Sequence, residues 1–264
     1  MVPRLLHVCV FVGIWMWLGF GLHLTPDAYL LLGVPLTAIF QRFVRRQQIR
    51  ALWVRDAPAF GLGLSGWSIA VALACYPLCR LMENLRAQNY GAQTLWFCAA
   101  VAGAVAAAFA LRNFRPATTR EFWTCLATAG VIGVLFLLPA AFVTGIGHRT
   151  LAARLHDGAT SLLLYVPVVF VLEEVSFRGA FDSHVHHSGE RRGYLTAFLV
   201  SGLWGLWHLP VAMGHQPLWS LVPGLLGVHC ALGTLLSFAW RRSGNLFVCG
   251  FAHALVDAVR NALF

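Results

Sequence analysis

A succession of apolar runs dominates this sequence, and most of them approach the ~20 residues that a helix needs to cross the hydrocarbon core of a bilayer. The runs cover residues 5–24, 28–44, 60–82, 94–112, 121–146, 159–181, 193–212, 218–240 and 244–263. Hydrophobic residues make up 59% of the chain and charged residues 11%, which is too few to coat the core of a soluble domain. The sequence therefore predicts an all-α, polytopic membrane helical bundle with about eight transmembrane helices, in the range of roughly seven to nine.

The 19 basic residues are all arginines, and the net charge is +9. Because the arginines fall between the apolar runs, they indicate contact with a membrane surface and not with nucleic acid. If residues 45–58 are cytoplasmic and every run crosses the bilayer, the other arginines on that side include Arg112, Arg115, Arg120, Arg191, Arg192, Arg241 and Arg242. We therefore expect an integral protein of the bacterial plasma membrane with a cytoplasmic amino terminus.

Ionisable residues inside an apolar run are costly to bury and indicate function. The first such group is Glu173-Glu174-Val-Ser-Phe-Arg178, late in the run 159–181. On a continuous α-helix Glu174 and Arg178 lie four residues apart and can pair, whereas Glu173 points about 100° away. Glu173 can then face a polar cavity, where a carboxylate serves as a general base. The alternative is a helix end at the membrane interface with both acids in water.

Two further groups contain histidines. His208 follows Trp204 by four residues and is itself followed, two residues later, by a proline that breaks or bends a helix. His253 precedes Asp257 by four residues, so the aspartate can orient the imidazole, or both can bind a metal or a polarised oxygen. A buried backbone hydrogen bond for His208 and a structural ion pair for His253 are the alternatives. Together the groups predict that Glu173, His208 and His253 share one intramembrane site, within ~10 Å of each other.

The ordered motifs E-E-x-x-x-R, aromatic-x-x-x-H and H-x-x-x-N/D resemble those of the CAAX-protease and bacteriocin-processing (CPBP, or ABI) family of intramembrane proteases. The resemblance covers about residues 160–262. It implies a catalytic core over 151–264 and a variable set of transmembrane helices over 1–150. It also implies an endopeptidase that hydrolyses a peptide bond of a membrane-associated or lipidated protein or peptide.

The resemblance assigns a role to each residue of the three motifs. Glu173 would activate water with the assistance of His208, and no cofactor would be required. His253 and Asp257 would form the oxyanion site. The remaining motif residues would be structural support, namely Glu174, Arg178 and Trp204.

Two positions depart from the family's usual pattern. Trp204 stands where phenylalanine is usual, and Asp257 stands where asparagine is common. The second change matters because an ionised carboxylate repels an oxyanion that an amide would stabilise. Asp257 therefore stays protonated, orients His253 or binds a metal.

A zinc-dependent intramembrane protease is the nearest alternative. His208, His253 and either Asp257 or Glu173 would supply three ligands, and a water would occupy the open fourth position. The H-E-x-x-H pattern of helical zinc proteases does not occur in the sequence.

Three other interpretations start from different residues or roles. Ser65 in Gly63-Leu-Ser65-Gly66 fits a short pattern of rhomboid-type serine proteases. The polar groups of the carboxyl-terminal half also fit a proton relay of a transporter or a binding site of a non-catalytic adaptor. A further histidine cluster lies in a polar loop, where we expect solvated side chains: His184, His186 and His187.

Overall fold

The computed structural model describes residues 2–57, 59–144, 149–187, 193–214 and 217–264. The α-helices are α1 (Val2–Gly21), α2 (Pro26–Ile39), α3 (Gly63–Arg86), α4 (Ala92–Arg112), α5 (Pro116–Thr144), α6 (Leu151–Val168), α7 (Ser183–Val185), α8 (Tyr194–Trp207), α9 (Leu209–Ala212), α10 (Leu218–Ser243) and α11 (Leu246–Leu263). Two π-helices, Phe40–Val44 and Val175–Asp182, and a 3₁₀ turn, Ile49–Leu52, complete the regular structure of these residues.

Eight helices in the described ranges are long and apolar enough to cross a membrane. They include Pro26–Val44, where the π-helix extends α2, even though this segment contains Pro35. The predicted all-α membrane bundle is confirmed, and the chain is an integral, multi-pass membrane protein. Local sequence sets several boundaries. For example, the side chain of Asn245 accepts a hydrogen bond from the Phe247 N–H at the start of α11.

The apolar run 159–181 does not form the continuous α-helix that the sequence predicts. α6 ends at Val168, a turn follows, and the π-helix begins at Val175. Two carbonyls of the turn accept hydrogen bonds from side chains. The Trp53 indole N–H donates to Phe170 O at 2.7 Å, and the Ser176 hydroxyl donates to Leu172 O at 2.9 Å. Glu173 therefore lies at a break between two helical segments, and the prediction that it belongs to one continuous helix over the run 159–181 is wrong.

The segment 45–57 holds the π-helix Val175–Asp182 in place. Arg45 Nη1 donates to the Gly179 carbonyl at 2.7 Å. A side chain at position 179 would overlap the backbone of Leu52, so the close approach of the two segments requires glycine there. Contacts from the amino-terminal half thus fix the helical segment that follows Glu173.

An aromatic cluster connects α1 and α2 to the carboxyl end of α8. The rings of Trp15 and Trp207 lie 4.9 Å apart, centroid to centroid, and those of Phe177 and Trp207 lie 5.4 Å apart. The Tyr29 hydroxyl donates to the Trp207 carbonyl at 2.7 Å. All four side chains are buried. This packing fixes the end of α8, where His208 stands as the last residue before the bend that the proline predicts.

The arginine-rich segments meet at one end of the bundle. Arg55 donates to the Arg241 carbonyl at 2.6 Å, and Arg242 pairs with Glu121 at 2.8 Å. At the opposite end, Arg154 donates to the carbonyl of Leu263 at 3.0 Å. The arginines that the sequence analysis assigns to the cytoplasmic side are thus found at the same end of the bundle where they are described. Arg191 and Arg192 lie outside the described residues. Which end faces the cytoplasm stays a prediction.

The broken segment 151–185 also runs from one end of the bundle to the other. Its start lies beside the end of α11 through Arg154, whereas Asp182 lies beside the end of α10. Over the predicted run 159–181 the chain thus extends along the bundle as α6, the turn and the π-helix together, and this segment is not among the eight candidate spans of the described residues. As a result the turn with Glu173 lies in the interior of the bundle.

Asp182 and Arg241 form a buried ion pair that joins the π-helix to α10. The two Arg241–Asp182 hydrogen bonds measure 2.7 and 2.8 Å, and the Asp182 side chain is 0% exposed. Because breaking a buried pair leaves an uncompensated charge, we expect Asp182→Asn to lower the free energy of unfolding by about 3–5 kcal/mol. Thermal unfolding in detergent measures the effect.

The matched control is Asp157→Asn. Asp157 pairs with Arg149 at 2.8 Å, but both side chains are exposed, so we expect a loss of about 0–1 kcal/mol. Equal stability of the two variants would contradict the role of the buried pair.

Candidate active site

The three polar groups meet around the ring of Trp204. Its indole N–H donates to Glu173 Oε2 at 3.1 Å, and the same carboxylate oxygen lies 3.6 Å from His208 Nε2. The ring of His253 contacts Trp204 edge to face, with centroids 5.0 Å apart. The break after α6, the end of α8 and the middle of α11 thus contribute to a single site. These positions agree with the predicted convergence of the three groups.

The orientation of His208 follows from its backbone contact. Its Nδ1 lies 2.9 Å from the carbonyl oxygen of Trp204, one turn earlier on α8. Because a carbonyl can only accept, Nδ1 carries the proton, and Nε2 of the neutral ring presents a lone pair. That lone pair is on the nitrogen that faces Glu173. His208 therefore makes the backbone bond expected of a structural histidine and also directs its second nitrogen into the site.

A fully buried ion pair lies beneath Trp204. Arg178 Nε is 3.4 Å from Glu174 Oε2, the pairing that the spacing predicts, and both side chains are 0% exposed. The guanidinium also stacks on Trp204 at 4.7 Å from the ring centroid. The other Glu174 oxygen, Oε1, lies 3.1 Å from His253 Nδ1. Glu174 thus contacts both Arg178 of its own helical segment and His253 of α11.

The line of charges continues to the surface of α11. His253 Nε2 lies 3.3 Å from Asp257 Oδ2, and Asp257 Oδ1 lies 3.0 Å from Arg260 Nη1. With a carboxylate at each ring nitrogen, His253 is best accommodated as the doubly protonated imidazolium. Asp257, placed between two cationic groups, is best accommodated as the carboxylate. The geometry thus favours the orienting role among the three roles open to Asp257.

Exposure divides the residues of the site into two groups. The side chains of Glu173, His208 and Asp257 are 17%, 21% and 17% exposed. Those of Glu174 and Arg178 are not exposed at all. Only the first group can meet a substrate, because the second is covered on every side. His253, which is expected at the oxyanion site, is 5% exposed and falls between the two groups.

One histidine of the site was not identified from the sequence. His229 of α10 lies with its ring centroid 4.3 Å from that of His208 and 4.5 Å from that of Trp204. It stands alone in the apolar run 218–240, without a neighbouring acid or histidine at helical spacing. The sequence does contain a signal for His229, because an ionisable side chain inside a predicted span is costly and indicates function even when it stands alone.

The other residues considered from the sequence lie elsewhere. Ser65 is exposed in the first turn of α3, and within the described residues it makes no hydrogen bond to a histidine. His184 is not a solvated loop residue as expected, because it belongs to α7 and packs against α1. Its Nε2 lies 3.2 Å from His7 Nδ1. Burial, together with the nearby positive charges of His7, Arg45 and Arg4, lowers the pKa of His184 to about 4.

Comparison with known proteins gives one match. The family model described as type II CAAX prenyl endopeptidase Rce1-like matches residues 156–259. No curated protein and no solved structure matches the chain. The matched range contains every residue of the site described above except Arg260. The resemblance to CAAX proteases is thereby confirmed over this range, and the match supports a CAAX-type intramembrane protease in general terms.

The buried pair of Glu174 and Arg178 leads to a stability prediction. Removing one partner leaves the other charged and buried, so we expect Arg178→Ala to lower the free energy of unfolding by about 3–5 kcal/mol and to reduce the yield of folded protein. Size-exclusion chromatography and thermal unfolding in detergent measure both effects.

Arg80→Ala is the matched control, because Arg80 pairs with Glu83 within α3 and both side chains are exposed. We expect little change there. If Arg178→Ala is as stable as this control, the buried pair does not support the fold.

Proposed function

We propose that this chain, in which residues 156–259 match the Rce1-like endopeptidases, is an intramembrane endopeptidase that cleaves membrane-associated or lipidated proteins or peptides. The observation that carries the proposal is the pair formed by Glu173 and His208. A partly exposed carboxylate and the unprotonated nitrogen of an imidazole face each other at 3.6 Å, inside a bundle of membrane-spanning helices.

In this proposal Glu173 is the general base. A water that contacts both Glu173 Oε2 and His208 Nε2 gives a proton to the carboxylate as its oxygen attacks the peptide carbonyl. The indole N–H of Trp204 fixes the carboxylate in position, and the backbone bond of His208 fixes the ring. Each reacting group is thus held by a separate contact, which reduces the entropy lost on reaching the transition state.

Positive charge beside Glu173 supports the developing oxyanion. His253, with a carboxylate at each ring nitrogen, packs edge to face against the Trp204 ring whose indole N–H holds Glu173. We propose that His253 stabilises the tetrahedral intermediate by its charge. Asp257 is then a positioning residue, because both of its oxygens are engaged and neither can donate a hydrogen bond.

The division of the chain follows the same reasoning. We propose that residues 151–264 form the catalytic core and that residues 1–150 form a scaffold. Two side chains of the scaffold bond to backbone carbonyls of the core on either side of the two glutamates. Trp53 donates to Phe170 O, and Arg45 donates to Gly179 O. The arginine distribution supports a cytoplasmic amino terminus, and we propose a bacterial plasma membrane as the location. The proposal includes no nucleic-acid partner.

A zinc enzyme built from the same residues is the alternative mechanism. It would require lone pairs on its histidine ligands. His208 Nε2 offers one, but both nitrogens of His253 face carboxylates within 3.3 Å. His253 would have to lose a proton and leave one carboxylate to bind a metal. The contacts of His253 therefore support the metal-independent reaction with no cofactor.

The first test of the proposal is Glu173→Gln. The amide cannot accept the proton of water, so we expect turnover to fall by at least about 10²-fold with folding unchanged. Mass spectrometry of membrane-protein termini in cells with the wild type and with the variant would show which cleaved termini disappear. In vitro, a fluorogenic peptide that ends in a prenylated CAAX sequence provides the first probe.

A transporter or adaptor predicts a different outcome. In that case the cleaved termini are the same in both cells, because no peptide bond depends on Glu173. The matched control is Glu83→Gln, which removes an exposed carboxylate of α3 and should leave all termini unchanged.

The second test separates the two mechanisms. Without a metal, cleavage should persist after exhaustive treatment with strong chelators, and Asp257→Asn should retain activity within about tenfold, because His253 keeps its contact with Glu174. With a metal held by His208, His253 and Asp257, chelation stops cleavage. Activity that returns only when zinc is added, together with one equivalent of bound zinc, would establish the zinc mechanism.

A further inference from the structure

An open polar cavity lies at the arginine-rich end of the bundle, away from the candidate active site. Its volume of about 300 Å³ far exceeds the ~10–15 Å³ that one water requires. The walls come from the start of α1, the segment after α2, and α7: Arg4, Val44, Arg45, Gln47, Ser183 and His184. We propose that this cavity binds the phosphate group of an anionic phospholipid. The site shares no residue with the candidate active site, so it does not depend on the proposed function.

The side chains that line the cavity bring positive charge without negative charge. Arg4 and Arg45 are cations, and no acidic side chain of the described residues is part of the lining. Burial lowers the pKa of Arg45 to about 10, so this side chain stays charged at neutral pH. The carboxylate that acts on Arg45 is Asp182, and both of its oxygens already bond to Arg241. The cavity thus keeps a net positive charge that an anion would neutralise.

The hydrogen-bond donors of the two arginines are available to an anion. Arg45 Nη1 donates to Gln41 Oε1 and to Gly179 O, whereas its Nε and Nη2 have no acceptor among the described residues. The guanidinium of Arg4 forms no hydrogen bond or ion pair with any residue that the structure describes. A guanidinium offers paired N–H groups in a planar fork, and this geometry matches the oxygens of a phosphate.

Contacts behind the cavity hold its walls together. His184 Nε2 on α7 lies 3.2 Å from His7 Nδ1 on α1. The His184 ring also packs edge to face on Phe40, where the segment after α2 begins, with centroids 5.1 Å apart. The bond from Arg45 to Gly179 joins that segment to the π-helix before α7. Because these contacts exist without a ligand, binding an anion requires little ordering of the protein.

The depth of the cavity favours a lipid as the source of the phosphate. The candidate span Pro3–Gly21 begins immediately before Arg4, and the candidate span Pro26–Val44 ends immediately before Arg45. Both cations therefore lie at the boundary of the hydrocarbon core, which is the level at which a bilayer carries its phosphate groups. Basic pockets at this level between transmembrane helices are suited to anionic headgroups.

Exposed apolar side chains close to the cavity fit the acyl chains of such a lipid. Leu6 follows Arg4 by two residues and is 59% exposed. Phe43 precedes Val44 of the cavity wall and is 72% exposed. In a membrane-spanning bundle, exposed apolar side chains of this kind mark a surface that contacts lipid. A phospholipid uses both the cations and this apolar surface, whereas a free phosphate ion uses only the cations.

The decisive variant is Arg4→Gln, because Arg4 is exposed and bonds to no described residue, so the fold does not depend on it. Native mass spectrometry of the purified, delipidated chain in detergent, titrated with dioleoyl phosphatidylglycerol, measures the Kd of the first lipid that binds. We expect this Kd to rise about fivefold in Arg4→Gln.

The matched control is Arg42→Gln. Arg42 is an exposed residue of the π-helix Phe40–Val44 and does not line the cavity, so the same change of net charge should alter Kd by less than about twofold. Unchanged affinity in Arg4→Gln would overturn the site. Equal losses in the two variants would also overturn it, because charge at this end would then act without the cavity.

Three further probes test the source of the phosphate. Dioleoyl phosphatidylcholine has the same chains and a phosphate but no net charge, so we expect it to bind at least about fivefold more weakly. Glycerophosphoglycerol and inorganic phosphate lack the chains, so they should displace the lipid only at concentrations about 100-fold above its Kd or higher. Equal affinity for the two lipids would overturn the proposal. Displacement by inorganic phosphate near the Kd of the lipid would show a site for a free anion instead.

A second variant examines the other cation. Arg45→Gln also removes the bond to Gly179, so thermal unfolding in detergent first establishes that this variant is folded. A folded Arg45→Gln protein should bind phosphatidylglycerol more weakly than the wild type, and wild-type affinity would overturn the role of Arg45. If the variant does not fold, Arg4→Gln decides the matter alone.

Glu173→Gln separates this inference from the proposed function. We expect this variant to bind phosphatidylglycerol like the wild type, although cleavage should be lost. Selective lipid binding in a chain that cleaves no peptide would contradict the proposed function only. A chain that cleaves peptides but does not distinguish the two lipids would contradict the phospholipid site only.

Discussion

The interior of this bundle depends on Glu174, a carboxylate with no exposed surface. It lies against Arg178 on one side and His253 on the other, and these contacts join the segment after α6 to α11. A buried carboxylate without partners would be very costly, so the two helical segments cannot separate or rotate freely. Trp204, stacked on Arg178, then brings α8 to the same point. The position of the more exposed Glu173 follows from this arrangement, because Glu173 immediately precedes Glu174 in the chain.

The π-helix and the turn before it place the two glutamates in different surroundings. On a regular helix the neighbouring acids would share the backbone geometry and differ only in direction. Here Glu173 belongs to the turn, and Glu174 begins the segment that Arg45 and Leu52 hold. Irregular backbone inside a membrane is tolerated where its polar groups are satisfied by the protein, and Trp53 and Ser176 provide that satisfaction. The break therefore separates a group that can meet solvent from one that cannot.

The sequence predicted the membrane bundle because long apolar runs have few alternatives in structure. It also predicted the pairing of Glu174 with Arg178 and the meeting of Glu173 with His208. The break after Val168 was not predictable, because it depends on Trp53, more than a hundred residues earlier in the chain. The two-sided contacts of His253 were not predictable either, since Glu174 and Asp257 approach it from different segments. His229 was overlooked because it has no partner at helical spacing.

The bond from Trp53 to Phe170 also bears on how far the matched range depends on the rest of the chain. The matched range 156–259 looks like a self-contained module in sequence, yet the carbonyl next to its glutamates is satisfied from outside it. A second link has the same character, since the N–H of Leu246 donates to the Trp53 carbonyl at 2.8 Å. A chimera that joins the matched range to foreign amino-terminal helices would have to reproduce both bonds. The short segment around Trp53 therefore limits which amino-terminal halves are interchangeable.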